Sequence, residues 1–474
     1  MKKQTTILFF LIFFPFFLKG QNWSLQQCVD TAIKNNLDIL QEFNDVQTAF
    51  LNYSQSAWNR YSTLNGSASQ NFNFGRSLDQ STYQFNDRRT ATNNFSLNSG
   101  VILYNGGQIK NTIRQYQLIL EASHYDLQQL KDQISLNVVN AFVNILYANE
   151  SVKNAELQIE STQELLKQTE IFVQAGKKAE SDLTQLRAQI ATEKYNLTSA
   201  QGDLRTANLA LQQLMEVPYN EKFEIELPAL PEADLNFLPS SSDVYSLALQ
   251  TQPSIKSSEL QKQIEQVRLR ITRAGLYPKL SVNAGLNSNY STLSTLNKIS
   301  TTSSLQTIGY LKNDMNQEVV NYVDHNMYTS ENYPFFRQLS DKFNQSISLN
   351  LSIPIFNGKQ VKYGIRKQEI NINAAELNAR INKNNLRKTI EQATVDANNA
   401  QTKYVSAKEA LNAEEITYQN LQLLFEASKS TAIDLLVEKN KLAVSNSQLL
   451  QAKYNLVLKL KVLDYYEGKP LNLR

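Results

Sequence analysis

The sequence predicts an α+β membrane protein of duplicated design, built from long coiled-coil helices and four short strands in each chain. Three observations carry that prediction: the placement of proline, an internal repeat, and a switch between seven-residue and two-residue apolar periods. Proline is absent between Pro15 and Pro218 and again between Pro354 and Pro470, whereas Pro218, Pro228, Pro231 and Pro239 cluster between the halves. Helix interiors exclude proline, which lacks the N–H and strikes the preceding turn. The chain therefore reads as two helical halves, 21–217 and 241–470, joined by a Pro-rich linker, 218–240.

At the N-terminus, Lys2 and Lys3 precede an apolar run from Ile7 to Leu18, followed by Lys19, Gly20 and Gln21. A positive start and a short apolar run are the layout of a secretory signal, expected over 1–20. About twelve apolar residues fall short of the roughly 20 needed to span a bilayer as a helix. Residues 1–20 hold three of the 47 Lys and Arg and no acid, so 44 bases face 44 acids in the remainder. That balance leaves no basic stripe for nucleic acid. Cys28 is the sole cysteine, which rules out an internal disulfide and reads as a small buried helix residue. His124 and His325 lie in different halves, and no metal-ligand cluster, nucleophile motif or phosphate loop occurs. The expectation is a protein that is not an enzyme and needs no cofactor or metal.

The halves match in sequence. At an offset of 216, Ala32 to Ile39 aligns with Ala248 to Ile255, and Tyr61 to Leu64 with Tyr277 to Leu280. At an offset of 252, Leu103 to Gln108 aligns with Ile355 to Gln360, and Ser181-Asp182-Leu183 with Ile433-Asp434-Leu435. The 36-residue difference places an insertion between Leu280 and Ile347. Each repeat then reads as one helix, two strands and two long helices.

Leu183, Ile190, Leu197, Leu204 and Leu211 step by seven, as do Leu435, Leu442, Leu449, Leu456 and Leu463. A 3/4 alternation runs from Leu127 to Ile159. Such spacing keeps one stripe against a partner helix and argues for coiled-coil packing. A helix from Gly107 to Gly176 would be about 100 Å long, more than a compact domain holds.

The four strand segments alternate with period two. Ile347, Leu349, Leu351, Ile353 and Ile355 interleave with Ser348, Asn350 and Ser352, while Phe95, Leu97, Val101 and Leu103 oppose Ser96, Asn98 and Ile102. The other two carry Leu64, Ala68, Phe72 and Phe74, and Leu280, Val282, Ala284 and Leu286. One apolar and one Ser/Asn face over about 9–11 residues suits lipid on one side and a lumen on the other. Four strands leave edges that lipid does not tolerate, so other copies must complete the barrel. Two, three or four copies would give 8, 12 or 16 strands, all sizes that membrane barrels adopt. Trp58, Tyr61, Tyr104 and Phe356 suit an interfacial aromatic belt. Asn105, Gly106 and Gly107, and Asn357 and Gly358, mark strand-to-helix transitions, since both residue types tolerate left-handed backbone. The inserted segment, 291–344, is rich in Ser, Thr, Asn and Tyr without clear apolar periodicity, and is expected to be a tolerated surface loop rather than a lid or receptor surface.

Several segments resemble TolC-type outer-membrane efflux proteins. They are the strand leading into Pro354-Ile355-Phe356-Asn357-Gly358-Lys359, the turn Val173-Gln174-Ala175-Gly176 with Ser181-Asp182-Leu183, and Trp23 to Cys28 with Ala32, Asn35 and Asn36. The resemblance spans the chain beyond the signal segment. It implies a homotrimer with a shared 12-stranded β-barrel in the outer membrane and a helical tunnel in the periplasm. The implied role is the exit duct of a tripartite efflux or type I secretion system, beside a periplasmic adaptor and an inner-membrane transporter. The turns it implies as adaptor contacts carry Ala175, Gly176, Lys177 and Lys178 in the first half, and Ser428 and Lys429 in the second. Ser428 stands where the family commonly has glycine. The resemblance also marks Asp434 as a candidate constriction, with Asp182 its counterpart, although both positions equally suit capping of a returning helix. A passive porin or a structural coiled-coil envelope protein is the alternative. Long helices count against a porin, which needs only short periplasmic turns.

Overall fold

The computed structural model describes residues 22–78, 83–87, 89–227, 239–312, 314–427 and 429–469. The signal segment 1–20, Pro228 and Pro231 of the linker, Ser428 and Pro470 lie outside them. In chain order the elements are α1 (Leu25–Asn35), α2 (Leu37–Trp58), β1 (Thr63–Asn73), β2 (Ser77–Leu78), β3 (Phe85–Asn86), β4 (Thr90–Asn105), α3 (Gln108–Gln174) and α4 (Glu180–Leu214). The second half continues with α5 (Ser241–Thr251), α6 (Pro253–Ala274), β5 (Lys279–Ser291), β6 (Thr295–Leu311), β7 (Asp314–Asn332), α7 (Phe335–Asp341), β8 (Asn344–Ser352), α8 (Gln360–Glu426) and α9 (Ala432–Glu467).

The duplication is visible in matched breaks. Where one helix is expected ahead of each strand pair, two are found. Asn36 and Gln252, 216 residues apart, both take extended ψ angles (126° and 124°) and end α1 and α5. Each break residue's N–H still closes its helix, to the Ala32 and Ala248 carbonyls, both at 2.9 Å. The Asn36 side chain then caps α2 by accepting from the Ile39 N–H at 3.1 Å. Pro253 enforces the second break, since the residue before a proline is driven out of the helical region. α1 itself starts from a capping box: Ser24 Oγ accepts from the Gln27 N–H at 3.3 Å, and Gln27 Oε1 accepts from the Ser24 N–H at 3.0 Å.

The chain divides into two compact units. The helical unit comprises Met1–Asn52, Tyr116–Glu265 and Ile370–Arg474. Its main core gathers Cys28 and Ala32 of α1, Val138, Phe142 and Ile145 of α3, Leu211 of α4 and Leu456 of α9. Cys28 is fully buried there, and burial pushes its thiol pKa up to about 12, so it is inert packing. Trp23 exchanges backbone hydrogen bonds with Glu224 and Glu226, both at 2.9 Å, and so ties the start of the first repeat to the stretch after α4.

The sheet unit comprises Tyr53–Gln115 and Gln266–Glu369. Its four-stranded antiparallel sheet has the order β1-β4-β5-β8, with β1 and β8 as the outer strands. The register aligns the expected faces across all four strands: Leu97 pairs with Leu286, Val101 with Val282, Val282 with Leu349, and Leu280 with Leu351. On the other face, Asn98 pairs with both Asn65 and Gly285, while Asn283 pairs with Ser348. A bulge at Leu103 brings Tyr104 opposite Leu280, on the apolar face. β4 and β5 run to 16 and 13 residues, longer than the apolar segments alone, because Ser/Asn/Thr-rich ends extend their pairing.

The insertion departs from expectation. Instead of a loop, β6 and β7 form a long antiparallel ribbon from Thr295↔Asn332 to Leu311↔Asp314, followed by the short helix α7. Thr, Val and Tyr favour strand backbone. Both ribbon faces mix polar and apolar side chains, so no apolar period marks it. Cross-strand bonds such as Ser303 Oγ to Asp324 Oδ1 at 2.5 Å and Lys298 Nζ to Glu331 Oε1 at 2.7 Å brace it instead.

Candidate functional site

In the helical unit, the reversals after α3 and α8 come together. α3 ends in a Schellman turn: the Gly176 N–H donates to the Val173 carbonyl at 2.9 Å, and the Lys177 N–H to the Phe172 carbonyl at 2.8 Å. Gly176 has φ +69°, and a Cβ there would meet nothing within 4 Å. The left-handed backbone, not lack of space, therefore calls for glycine. Six-to-one closure recurs 252 residues on, where the Lys429 N–H donates to the Leu424 carbonyl at 2.8 Å. Ser428 lies outside the described residues.

Lys178 joins the two turns. Its Nζ donates to the Ser430 carbonyl at 2.6 Å and sits 4.2 Å from the centroid of the Phe425 ring. Phe425 is buried edge-on to Phe172, with ring centroids 6.2 Å apart, and Leu165, Leu186 and Leu435 complete a small core behind the turns. Ala175, Gly176, Lys177 and Lys429 remain exposed. Of the residues singled out here, Lys178 is the structural member, and the other lysines are presented outward.

The two aspartates differ. Asp434 belongs to a capping box: its Oδ2 accepts from the Thr431 N–H at 3.0 Å and the Thr431 hydroxyl at 2.6 Å, while the Asp434 N–H donates to Thr431 Oγ1 at 3.1 Å. The Thr431 side-chain hydrogen bond, seconded by the backbone one and by Lys178, holds the Asp434 carboxyl below the usual carboxylate range. Asp182 sits at the same place in α4, behind Ala179, which has no capping side chain. Its N–H bonds the Ala179 carbonyl at 3.1 Å.

Behind the turns lies a buried polar cluster that sequence reasoning missed. Lys439 of α9 is 3 % exposed and donates to the Gln158 carbonyl at 2.8 Å and to the Thr162 hydroxyl. Its Nζ lies 3.8 Å from Glu193 Oε1, which also accepts from Thr162 at 2.7 Å and from Gln189 at 3.1 Å. Burial lowers the Lys439 pKa, with Glu193 opposing the shift.

In the sheet unit, the strand-to-helix transitions adopt the expected left-handed backbone. Gly106 and Gly107 have φ +64° and +80°, and Gly358 has φ +60°. Asn105 Oδ1 accepts from the Ile109 N–H at 3.3 Å, and the Asn357 carbonyl accepts from the Gln360 N–H at 3.2 Å. Lys359, where the first repeat has Gly107, also has positive φ (+64°), and so does Glu216 (+52°), where the second repeat has Gly468. Neither was foreseen; the glycines at the repeat-equivalent positions were the available signal. The polar face of the sheet presents Asn65, Asn98, Asn283, Ser346 and Ser348 around a shallow groove. These neutral amides and hydroxyls can be wetted without fixed charge.

The family described as Outer membrane efflux protein matches residues 28–216 and 244–466. The chain is 24 % identical to the pyoverdine export outer membrane protein OpmQ of Pseudomonas aeruginosa over 169 residues, 36 % of this chain and 35 % of that protein. It thus spans about a third of the length of that relative. It is 20 % identical to the toxin and drug export protein A of Aggregatibacter actinomycetemcomitans over 443 residues, 91 % of this chain and 83 % of that one. Among solved structures, the outer membrane protein VceC from Vibrio cholerae superposes with a TM-score of 0.72 at 13 % identity, covering 94 % of this chain and 96 % of VceC. The CmeC outer membrane channel of Campylobacter jejuni gives 0.69 at 18 % identity, covering 94 % and 85 %.

Proposed function

The chain belongs to the outer membrane efflux protein family, and from that premise we propose that it is the outer-membrane exit duct of a tripartite export system, working as a trimer. The observation that carries the reading is the four-stranded sheet, apolar on one face and Ser/Asn-lined on the other, with β1 and β8 as outer strands. Three copies joined β8 to β1 close one 12-stranded barrel, with the apolar face in lipid and the amide-lined face toward the lumen. Helical surfaces support the same partner. Ile370, Leu377 and Ile381 of α8, Ile416 and Leu423 further along it, and Val437 and Val444 of α9 are exposed apolar residues at coiled-coil spacings. A neighbouring copy covers such stripes.

The partners are a periplasmic adaptor, met by the exposed turn residues Ala175, Gly176, Lys177 and Lys429 together with Ser428, and an inner-membrane transporter beyond it. The mechanism needs no bond chemistry. Cargo handed over by the partners passes through a water-filled path.

The test replaces Gly176 by Val and Lys177 by Glu in cells relying on this copy. Export is expected to fall at least tenfold while trimers still reach the outer membrane. Unchanged export from correctly assembled variants would remove the turns from the docking surface.

A further inference from the structure

The apolar face of the sheet carries a short helix at the end remote from the long helices. Pairing of β5 with β8 stops at Asn287↔Asn344. Beyond it, at Ser291, the β5 backbone is met by the Gln338 side chain of α7. Gln338 Oε1 accepts from the Ser291 N–H at 3.0 Å, and Nε2 donates to the Ser291 carbonyl at 3.1 Å. That two-way exchange is the one an antiparallel strand makes. The side chain is 1 % exposed and also donates to the Tyr333 carbonyl at 2.8 Å. Ser288 Oγ donates to the Leu339 carbonyl at 2.7 Å, and Lys342 Nζ to Ser294 Oγ at 2.7 Å. A seven-residue helix is thereby fixed to the sheet.

What it presents is aromatic. Phe335 packs against Phe95 of β4 and Tyr290 of β5, at 6.3 and 4.9 Å between ring centroids. By register both partners lie on the same face as Leu97, Leu286 and Leu349. Phe336, 5.3 Å from Phe335, is 83 % exposed. Along β5, Tyr290 lies ten residues beyond Leu280, the partner of Tyr104. Ten residues span about 34 Å of strand. At a barrel tilt of about 40° that is roughly 26 Å of height, which matches an apolar band of about 25 Å. Tyr104 and Tyr277 mark one rim of that band, and α7 the other.

We propose that α7 is a membrane-interface foot, holding Phe336 at the acyl–headgroup boundary of the outer leaflet. The inference rests on the reading that the apolar sheet face meets lipid. Lipid rather than another copy is the occupant, because neighbouring copies join at β1 and β8, whereas α7 stands over the central strands β4 and β5. Aromatic residues form girdles at this depth, and Tyr333, ahead of α7, donates its hydroxyl hydrogen to Asp341 Oδ2 at 2.9 Å.

The experiment places single tryptophans in a Trp23→Phe, Trp58→Phe background. The full chain is reconstituted in phosphatidylcholine vesicles whose acyl chains carry bromine at defined depths. Phe336→Trp is expected to be quenched at least twofold, most by bromines near the headgroup, and to be shielded from aqueous acrylamide. Ile347→Trp, whose position pairs with Ala284 near the middle of the apolar face, is expected to be quenched most by deep bromines, and Ser348→Trp on the opposite face by none. Quenching at position 347 without quenching at 336 overturns the foot alone, whereas no quenching at either overturns the lipid-facing sheet itself. If Phe336→Trp fails to assemble, Phe336→Cys carrying a nitroxide gives the same answer, since Cys28 is buried. Greater collision with oxygen than with a water-soluble nickel chelate supports the foot, and the reverse order overturns it.

Discussion

Lys439 shows how a single residue escapes a periodicity. It lies four residues after Leu435 and three before Leu442, on the same face of α9 as the heptad stripe. In the structure that face meets α3 and α4, where Lys439 reaches the Gln158 carbonyl and Glu193. The leucine spacing identifies the seam but not the partners of a charge within it, Thr162 and Glu193, which come from distant parts of the chain. Breaking such a pair leaves a buried charge alone, at about 3–5 kcal/mol, whereas replacing both partners by apolar groups is near neutral or stabilising. Glu193→Leu is therefore expected to lower unfolding stability by about 3 kcal/mol, and Glu193→Leu with Lys439→Met to restore it, in denaturant titrations followed by circular dichroism. Additive losses in the double variant would show that the two do not act as a pair. Asp434 was legible as two alternatives, a cap or a constriction. The capping box with Thr431 gives it the first role. We propose that it also lines the constriction, where copies of a charge near a trimer axis favour cations. Its depressed pKa means that the capping interaction persists below the ordinary carboxylate range and is lost as pH falls through the lowered value. Asp434→Asn is expected to reduce cation selectivity in single-channel recordings, with Asp182→Asn changing it less. Equal selectivity in Asp434→Asn and parent would leave Asp434 as a cap alone.

Elements were legible where one rule dominated. Helices α3, α4 and α9 follow from Pro-free seven-residue periods, α8 from its place in the repeat and its lack of proline, and the four barrel-type strands from clean alternation. The α1/α2 break was missed because Asn36 is an ordinary polar residue whose extended backbone is fixed by its cap on Ile39. The β6–β7 ribbon was missed because its two faces are equally mixed, and cross-strand polar bonds replace an apolar period. The duplication also exposes backbone strain. Lys359 and Glu216 hold left-handed conformations where the other repeat has Gly107 and Gly468. Such a conformation costs a side-chain-bearing residue roughly 1–2 kcal/mol, while glycine gives back about 0.5–1 kcal/mol in unfolded-state entropy. Lys359→Gly and Glu216→Gly are each expected to stabilise by about 0.5 kcal/mol net. Gly106→Ala is expected instead to destabilise, because its Cβ would lie 2.8 Å from both the Ala274 carbonyl oxygen and the Tyr277 Cβ. Equilibrium denaturation of the three variants checks the signs, and a destabilising Lys359→Gly would contradict the repeat-based comparison.

For the whole molecule, strand counting alone left two, three and four copies open, and only the family resemblance selected three. The physical requirement is nonetheless clear in one chain. Four strands cannot close, the outer strands β1 and β8 stand at the sheet edges, and the apolar face leaves Ile347 84 % and Leu349 66 % exposed. Open strand edges are not tolerated in lipid and an exposed apolar face is not stable in water, so other strands must complete the sheet within a membrane. Cargo stayed illegible because a neutral Ser/Asn-lined face carries no chemical signature of what passes it. The proposed duct requires one barrel shared among copies. Native mass determination of the protein extracted from outer membranes in mild detergent tests this most directly: three chains per particle is the predicted result, and a stable monomer with a closed barrel of its own would contradict it.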